Sequence, residues 1–398
     1  MSSLTQSKRA SSSGEIRERD TLAIAAGRLR SWLERMRFAG IEPHDALTSP
    51  LLKRTPLGRS RLLRLIALQG LRRLPLNIRP LLGVTHQTNA ISLGWALSAY
   101  AVIDDASTRD RIADCVDGLD KRAAHGFSGL CWGYYFDWQT RTDYKRADVP
   151  IVVSTAFIGM GLLDAYAATG VREYLERARS ACDFILRDLN RSEHPAGFIF
   201  SYSPEDHEQV YNASILGAAL LARVGAATGE HELWDVARGA VDAVVADQRP
   251  DGSWPYSRGD HRSFVDNFHT GYVLCALRDY IEATGDDRHS GALERGWCFY
   301  REHFFDDGEV PRYYHNQTFP IDAHAAAQSI VTLVRFGETA LARRVALWTI
   351  RNMQTREGSF IYRIYRRHTN RIAYLRWSNA WMLYALAQLV RNDEKERA

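Results

Sequence analysis

Lysine is nearly absent from this chain: 398 residues hold five lysines against 46 arginines, so the small net charge of +4 rests on guanidinium groups. So modest an excess does not point to a polyanion, and no nucleic-acid partner is expected. Arginine suits bidentate recognition of carboxylate or phosphate, although its abundance also follows genomic base composition. Cysteine is scarce too. Cys115, Cys131, Cys182, Cys275 and Cys298 are odd in number and widely spaced, without the C-x-x-C pair of a zinc or redox centre. They read as buried thiols in a reducing compartment. The N-terminus, MSSLTQSKRASSSGEIRERD, lacks an apolar signal core, and no stretch reaches the roughly 18 apolar residues of a membrane span. A cytoplasmic location is expected, with residues 1–20 disordered. Neither a phosphate-cradling glycine loop nor a dinucleotide fingerprint occurs, and D-x-H at Asp322 and His324 is too short to claim a metal. No cofactor and no metal are expected.

What the chain does contain is a repeat. Loops rich in glycine and aromatics, GLCWGYYFDW from Gly129, AGFIFSYSPEDH from Ala196, DGSWPYSRGDH from Asp251, DGEVPRYYHNQ from Asp307 and EGSFIYRIYRRH from Glu357, each precede a helix of small residues. With Asn212, Asn267, Ala323 and Asn379 taken as equivalent, the repeat is about 56 residues long, the length of a helix pair plus a long loop. The second helix of each pair is charged on one side, as an outer ring packed on one face requires. The small-residue helices then form an inner ring. HQTNAISLGWALSAYAVI, from His86, adds a sixth inner helix. The expected fold is all-α, an (α/α)₆ toroid of helical hairpins over residues 81–392, with an N-terminal helical extension over residues 21–80 that braces and closes the barrel. In that extension, RSRLLRLIALQGLRRL from Arg59 is expected to supply the sixth outer helix, and a helix near Leu22 to Phe38 to brace the outside.

Each loop leads into the N-terminus of an inner helix, so its residues converge on one end of the barrel. Trp132, Tyr134, Tyr202, Trp254, Tyr256, Tyr362 and Trp377 are candidate platforms for sugar rings, against the plainer reading that an aromatic after glycine packs its own hairpin. VDNFH (Asp266, His269) and IDAHA (Asp322, His324) occupy equivalent positions in neighbouring repeats. Both aspartates suit helix N-caps, but two histidines at matching places, each near an aspartate, fit proton transfer. Tyr211 and Tyr314 complete the candidate catalytic set. Asp137, His207 and His315 in the loops, and Arg376 at a helix start, are candidate substrate contacts; Glu205, Asp206, Asp260 and His261 are further polar candidates.

QRPDGSWPY, from Gln248, resembles the glutamine–tryptophan motif of terpenoid cyclases and protein prenyltransferases, which are also α/α toroids, but the cyclases' D-x-D-D motif is missing. The loop-plus-inner-helix pattern from Gly129 to Val390 is more similar to VpsJ-type bacterial polysaccharide-biosynthesis proteins and to the helical-barrel domain of D-glucuronyl C5-epimerases. That resemblance implies a carbohydrate-active enzyme of polysaccharide biosynthesis or modification. On this reading a uronic-acid-containing saccharide loses its C5 proton, leading to epimerisation or elimination, with Arg376 neutralising the carboxylate. Two other functions fit the same barrel. One is a glycoside hydrolase drawing two carboxylates from Asp137, Asp206, Asp266 and Asp322; the other is a non-catalytic saccharide-binding component of an assembly complex. The leucine–arginine segment over residues 53–79 also suits peripheral contact with an anionic membrane and hence a lipid-linked saccharide.

Overall fold

The structure, a computed structural model, describes residues 2–55, 58, 60–139, 144–259 and 262–396, with side chains from residue 16 onward. Its helices, in chain order, are α1 (Ser2–Arg35), α2 (Pro50–Arg54), α3 (Arg61–Arg73), α4 (Ala90–Ile103), α5 (Thr108–Asp120), α6 (Val152–Thr169), α7 (Arg172–Arg187), α8 (Tyr211–Thr228), α9 (Glu232–Ala246), α10 (Asn267–Thr284), α11 (Ser290–His303), α12 (Ala323–Arg335), α13 (Thr339–Met353) and α14 (Trp381–Lys395). A π-helical turn, Leu375–Ala380, leads into α14.

Small residues set how these helices meet. A side chain at Gly94 of α4 would lie 2.9 Å from the Ile158 backbone of α6, and one at Gly161 only 2.3 Å from the Gly94 carbonyl. The two helices therefore pack at near backbone contact. The same closeness carries on around a ring in which α4, α6, α8, α10, α12 and α14 each touch the next, and α14 returns to α4. These six are the inner ring. The surfaces of α4, α6 and α8 are apolar nearly all round, as burial on every side demands. Outer helices α5, α7, α9, α11 and α13 pack on the inner helix that precedes each of them. The fold is the expected (α/α)₆ toroid.

The sixth outer helix is α1, which packs on α13 and α14 through Leu22, Leu29 and Leu33. The expectation that the segment from Arg59 closes the ring is therefore corrected, and helical backbone occupies most of the stretch expected to be disordered. Glycine contacts explain the choice. In successive repeats the loop glycine abuts a carbonyl of an outer helix: Gly129 at Ser180 of α7, Gly197 at Gly239 of α9, Gly252 at Arg295 of α11. Gly358, with φ +105°, abuts the Arg28 carbonyl of α1 in the same way. Gln354 and Arg28 add hydrogen bonds across this seam.

Helix α3 lies instead across the end of the barrel where the inner helices begin. Around that end run short strand pairs: β1 (Trp138–Gln139) with β2 (Tyr144–Lys145), β3 (Arg191–His194) with β4 (Gly197–Phe200), β5 (Phe305–Asp306) with β6 (Val310–Pro311), and β7 (Ile321–Asp322) with β8 (Arg363–Ile364), which also pairs β9 (Thr369–Asn370). All pairs are antiparallel, and β7 and β8 set Asp322 opposite Arg363. By length and composition α6 could cross a membrane, contrary to the sequence expectation, but it is an inner-ring helix and 72% of it is buried. Of the five unpaired cysteines, Cys298 is exposed rather than buried as expected.

Candidate active site

The N-terminal first turns of all six inner helices meet at one cavity of about 570 Å³, to which they contribute Ile91, Val153, Asn212, His269, His324 and, from the π-helical turn, Trp377. Such a cavity is of a size to hold a small ligand. Helix N-termini carry partial positive charge, so six converging ends favour an anion. The floor is aromatic: Trp95 and Tyr272 line it, backed by Trp381, 5.0 Å from Trp95 between ring centroids, and by Phe157, 4.9 Å from Tyr272. The loops supply the walls. Tyr134, Phe136 and Trp138 alternate into the cavity as an extended chain does, and Tyr202, Tyr256, Tyr313 and Tyr314 follow from later repeats.

Asp266 is the N-cap of α10, so its carboxylate accepts the backbone N–H of His269 at 3.0 Å. The same carboxylate takes the His269 ring nitrogen Nδ1 at 2.8 Å. With Nδ1–H donating to Asp266, Nε2 is left as the basic nitrogen of a half-buried imidazole on the cavity wall. Among the described residues lining the cavity, Asp266 is the one carboxylate.

His324 plays a different part. Its Nδ1 lies 3.1 Å from the Trp377 carbonyl, which can only accept, so Nδ1 carries the proton and Nε2 accepts the Tyr272 hydroxyl. Burial, reinforced by the nearby Arg376 charge, pushes this imidazole down to about 3, so it stays neutral. Burial raises Tyr272 well above its ordinary value, so the phenol keeps its proton. The pair fixes the Tyr272 oxygen at the cavity floor. His44, absent from the sequence-based set, lines the wall between Trp138 and Trp377. Burial and the charges of Arg72, Arg376, Arg363 and Arg79 hold it well below its usual range.

Those arginines differ in what neutralises them. Both oxygens of Glu42 take Arg376 Nε at 3.0 Å, and the guanidinium lies over the Tyr134 and Trp377 rings. Arg363 is paired with Asp322, and Arg79 with Asp45 at 2.6 Å. Arg72, on α3, donates to the Tyr362 hydroxyl at 3.1 Å, and among the described residues no carboxylate pairs with it. It is the cation whose charge the cavity leaves uncompensated.

Comparison with known proteins gives the fold. No protein-family model and no curated protein matches the sequence. A GH76 α-mannanase from Bacteroides thetaiotaomicron matches with TM-score 0.61 and 15% identity over 77% of this chain and 87% of that one. Cellobiose 2-epimerase from Bacillus thermoamylovorans B4167 matches with TM-score 0.60 and 12% identity over 77% and 88%. An unsaturated glucuronyl hydrolase specific for heparin follows with TM-score 0.55 and 14% identity over 77% and 87%. At such identities the likeness is one of architecture.

Of the residues expected in the site, His269, His324, Asp266, Tyr314, Tyr134, Tyr202, Tyr256, Arg376 and Trp377 line the cavity. Eight do not. Trp132 and Trp254 point into their own hairpins, donating Nε1–H to the carbonyls of Leu119 at 2.9 Å and Val244 at 2.8 Å. The hydroxyl of Tyr211 donates to Asp247 at 2.8 Å, outside the cavity lining. Asp322 is fully buried and saturated by the His324 and Ala325 amides, Arg363 and Trp377 Nε1. It caps α12 and holds the mouth together, with no free lone pair for chemistry. Tyr362 lies behind Arg72 as its hydrogen-bond acceptor. Asp137 accepts the Ala147 amide at 2.9 Å, His315 sits 3.2 Å from the Val265 carbonyl, and His207 is exposed away from the lining. Glu205 and Asp206 are tied to Arg146 and Lys145, while Asp260 and His261 lie outside the described residues. The sequence reading missed His44, Gln69 and Arg72, all from the N-terminal extension, and Tyr272. Only Tyr272 carried a signal: with Asp266 and His269 it makes an i, i+3, i+6 stripe on one helix face.

Proposed function

We propose that this protein is a carbohydrate-active enzyme that removes the C5 proton of a uronic-acid residue in a saccharide, in the manner that the resemblance to VpsJ-type proteins and D-glucuronyl C5-epimerases implies. The observation that carries the reading is the pairing in one aromatic-walled cavity of the Asp266–His269 dyad with the uncompensated guanidinium of Arg72. Arg72 and the converging helix N-termini hold the substrate carboxylate and stabilise the charge that develops on it. Nε2 of His269 takes the C5 proton, and the electrons of the broken C–H bond move into the carboxylate as an enediolate. Return of a proton to the opposite face of C5 re-forms the bond as the epimer. Expulsion of the C4 substituent leaves a C4=C5 double bond instead. Tyr314, its backbone bridged to Asp266, is the phenol assigned to proton return. Arg376, already held by Glu42, positions Trp377 and Tyr134 and leaves carboxylate binding to Arg72.

Hydrolysis by two flanking carboxylates gains no support, since the one carboxylate among the described lining residues is engaged with His269. The structural neighbours include both epimerases and hydrolases of saccharides and are compatible with either chemistry. The deciding experiment incubates uronate-containing oligosaccharides in D₂O and follows C5 by NMR. Deuterium at C5, or an unsaturated uronate, is expected. Arg72→Ala should lower kcat/KM on acidic substrates about 30- to 5,000-fold, the equivalent of the roughly 2–5 kcal/mol lost when one partner of a desolvated charge pair is removed. Release of reducing ends with no exchange at C5 would reverse the reading.

A further inference from the structure

Helix α3 meets three environments. Leu65, Gln69 and Arg72 line the cavity, and Leu68 and Leu71 pack into a small core with Ala46 and Leu47. On the remaining side Leu62 and Ile66, one turn apart, are 65% and 57% exposed, and the flanking Leu51, Leu76 and Leu81 are 55%, 68% and 80% exposed. Half of the ten large exposed hydrophobics among the described residues fall in these thirty-one positions. Single exposed aliphatic residues are ordinary, but five on one short helix and the segments flanking it are not. Their charged neighbours along the sequence are all of one sign, with Asp148 the acidic group that comes near Lys53 in space. From Ala46 to Ile103 the sequence holds no Asp or Glu, while residues 51–82 hold eight Lys and Arg. Lys53, Arg54, Arg61 and Arg73 are exposed beside the leucines.

We infer that this face of α3 and its flanking turns docks on an anionic membrane surface, with the leucines inserted among the acyl chains and the basic side chains against the headgroups. Charge complementarity selects that occupant. Apolar residues flanked in sequence by cations, with one carboxylate, Asp148, beside Lys53, match an interface with a negatively charged headgroup layer above hydrocarbon. A second copy of the same face would set cation against cation. The fold reinforces the assignment, because α3 is not needed to close the ring; α1 does that, which leaves the outer side of α3 exposed among the described residues. Docking would bring the cavity mouth to the headgroup layer, where a lipid-linked saccharide is presented. That corollary rests on the saccharide reading; the docking itself does not.

The test is flotation of the full chain, at low and high salt, with vesicles of phosphatidylcholine alone or of phosphatidylcholine with about 30 mol% phosphatidylglycerol, which supplies the negative surface potential. Binding is expected to the anionic vesicles at low salt and to weaken as salt rises. Leu62→Glu with Ile66→Glu should lower the binding constant at least about tenfold, the scale of losing two buried aliphatic side chains, and should leave circular dichroism and turnover of a soluble saccharide unchanged. No flotation of the unmodified protein at low salt, or equal flotation of the variant, overturns the inference. Concentration-dependent dimerisation that the variant abolishes, without vesicle binding, overturns it in favour of a second copy of the chain.

Discussion

Substitution of Asp266 by asparagine separates two jobs that one carboxylate performs. As the N-cap of α10 it accepts the His269 amide at 3.0 Å, and as the partner of the His269 ring it holds the proton on Nδ1. Asparagine caps helices about as well as aspartate, whereas loss of a capping side chain costs about 0.5–2 kcal/mol. The introduced carboxamide would keep its oxygen on the backbone amide and turn its NH₂ toward Nδ1, which must then accept. The proton would move to Nε2, the nitrogen meant to receive the substrate proton. A positioned base contributes about 10²–10⁴ in rate. Asp266→Asn should therefore lower kcat about 10²- to 10⁴-fold with KM nearly unchanged and the unfolding midpoint within experimental error. Asp266→Ala should lose the same activity and in addition the cap, about 0.5–2 kcal/mol in urea denaturation. ¹⁵N chemical shifts of the His269 imidazole give a readout independent of turnover, the protonated nitrogen switching from Nδ1 to Nε2. An Asp266→Asn enzyme that keeps nearly all of the unmodified kcat, despite the switched tautomer, would refute the assignment of His269 as base.

Two further outcomes follow from the buried groups at the mouth. The folded state holds His324 neutral down to about 3, against an ordinary value of 6.5, so the unfolded chain binds the extra proton between those limits. The contribution is complete above pH 6.5 and lost as pH falls toward 3, at up to about 1.4 kcal/mol per unit. Urea denaturation between about pH 7.5 and pH 5 should show this slope flattened in His324→Gln; an identical slope in the variant would remove the claim. Asp322→Asn should leave Arg363 buried without its anion and lower stability by about 3–5 kcal/mol. A hydrolase using Asp322 would lose activity at unchanged stability, and that pattern would revive the two-carboxylate reading.

Much of the ring was legible because a toroid repeats its own physics. Inner helices need small residues where backbones approach, and four of the five loops need glycine beside the next outer helix (Gly308 is the exception), so the period of about 56 residues survives where the residues between diverge. The sixth outer helix was misassigned because two segments satisfied one criterion. Leu22, Leu29 and Leu33 of α1 form a narrow buried stripe within a polar sequence. The leucines of α3 run around most of its circumference, which looks like stronger burial but reflects three different environments: cavity, small core and the bare outer face. The aromatic site residues divide by register. Trp132 and Trp254 follow their glycines closely and use Nε1–H on the preceding outer helix, whereas Tyr134 and Tyr256, two residues on, face the cavity. His44 and Arg72 were invisible because they reach the mouth from outside the repeat, by a fold-back that no period marks.

That fold-back accounts for why an open barrel end becomes a site. The described residues between Ile41 and Val84 are tied to the toroid by the buried bonds of Glu42 to Arg376 and Asn89 and by the part-buried bond of Arg72 to Tyr362, with Asn370 holding the Arg72 and Leu74 carbonyls. Asp45 to Arg79 makes the segment rigid within itself. Breaking one partner of such a buried pair costs several kcal/mol, so the segment behaves as a fixed wall. It is also the only described part of the chain that offers the cavity an uncompensated cation. The proposed sites of substrate charge selection, at Arg72, and of membrane contact, at Leu62 with Ile66, thus lie on adjoining faces of one helix, about 80° apart between Arg72 and Leu62. Because the exposed side chains point outward while Leu65, Gln69 and Arg72 line the cavity, a substitution at Leu62 and Ile66 is expected to alter the outer face and leave the cavity lining in place.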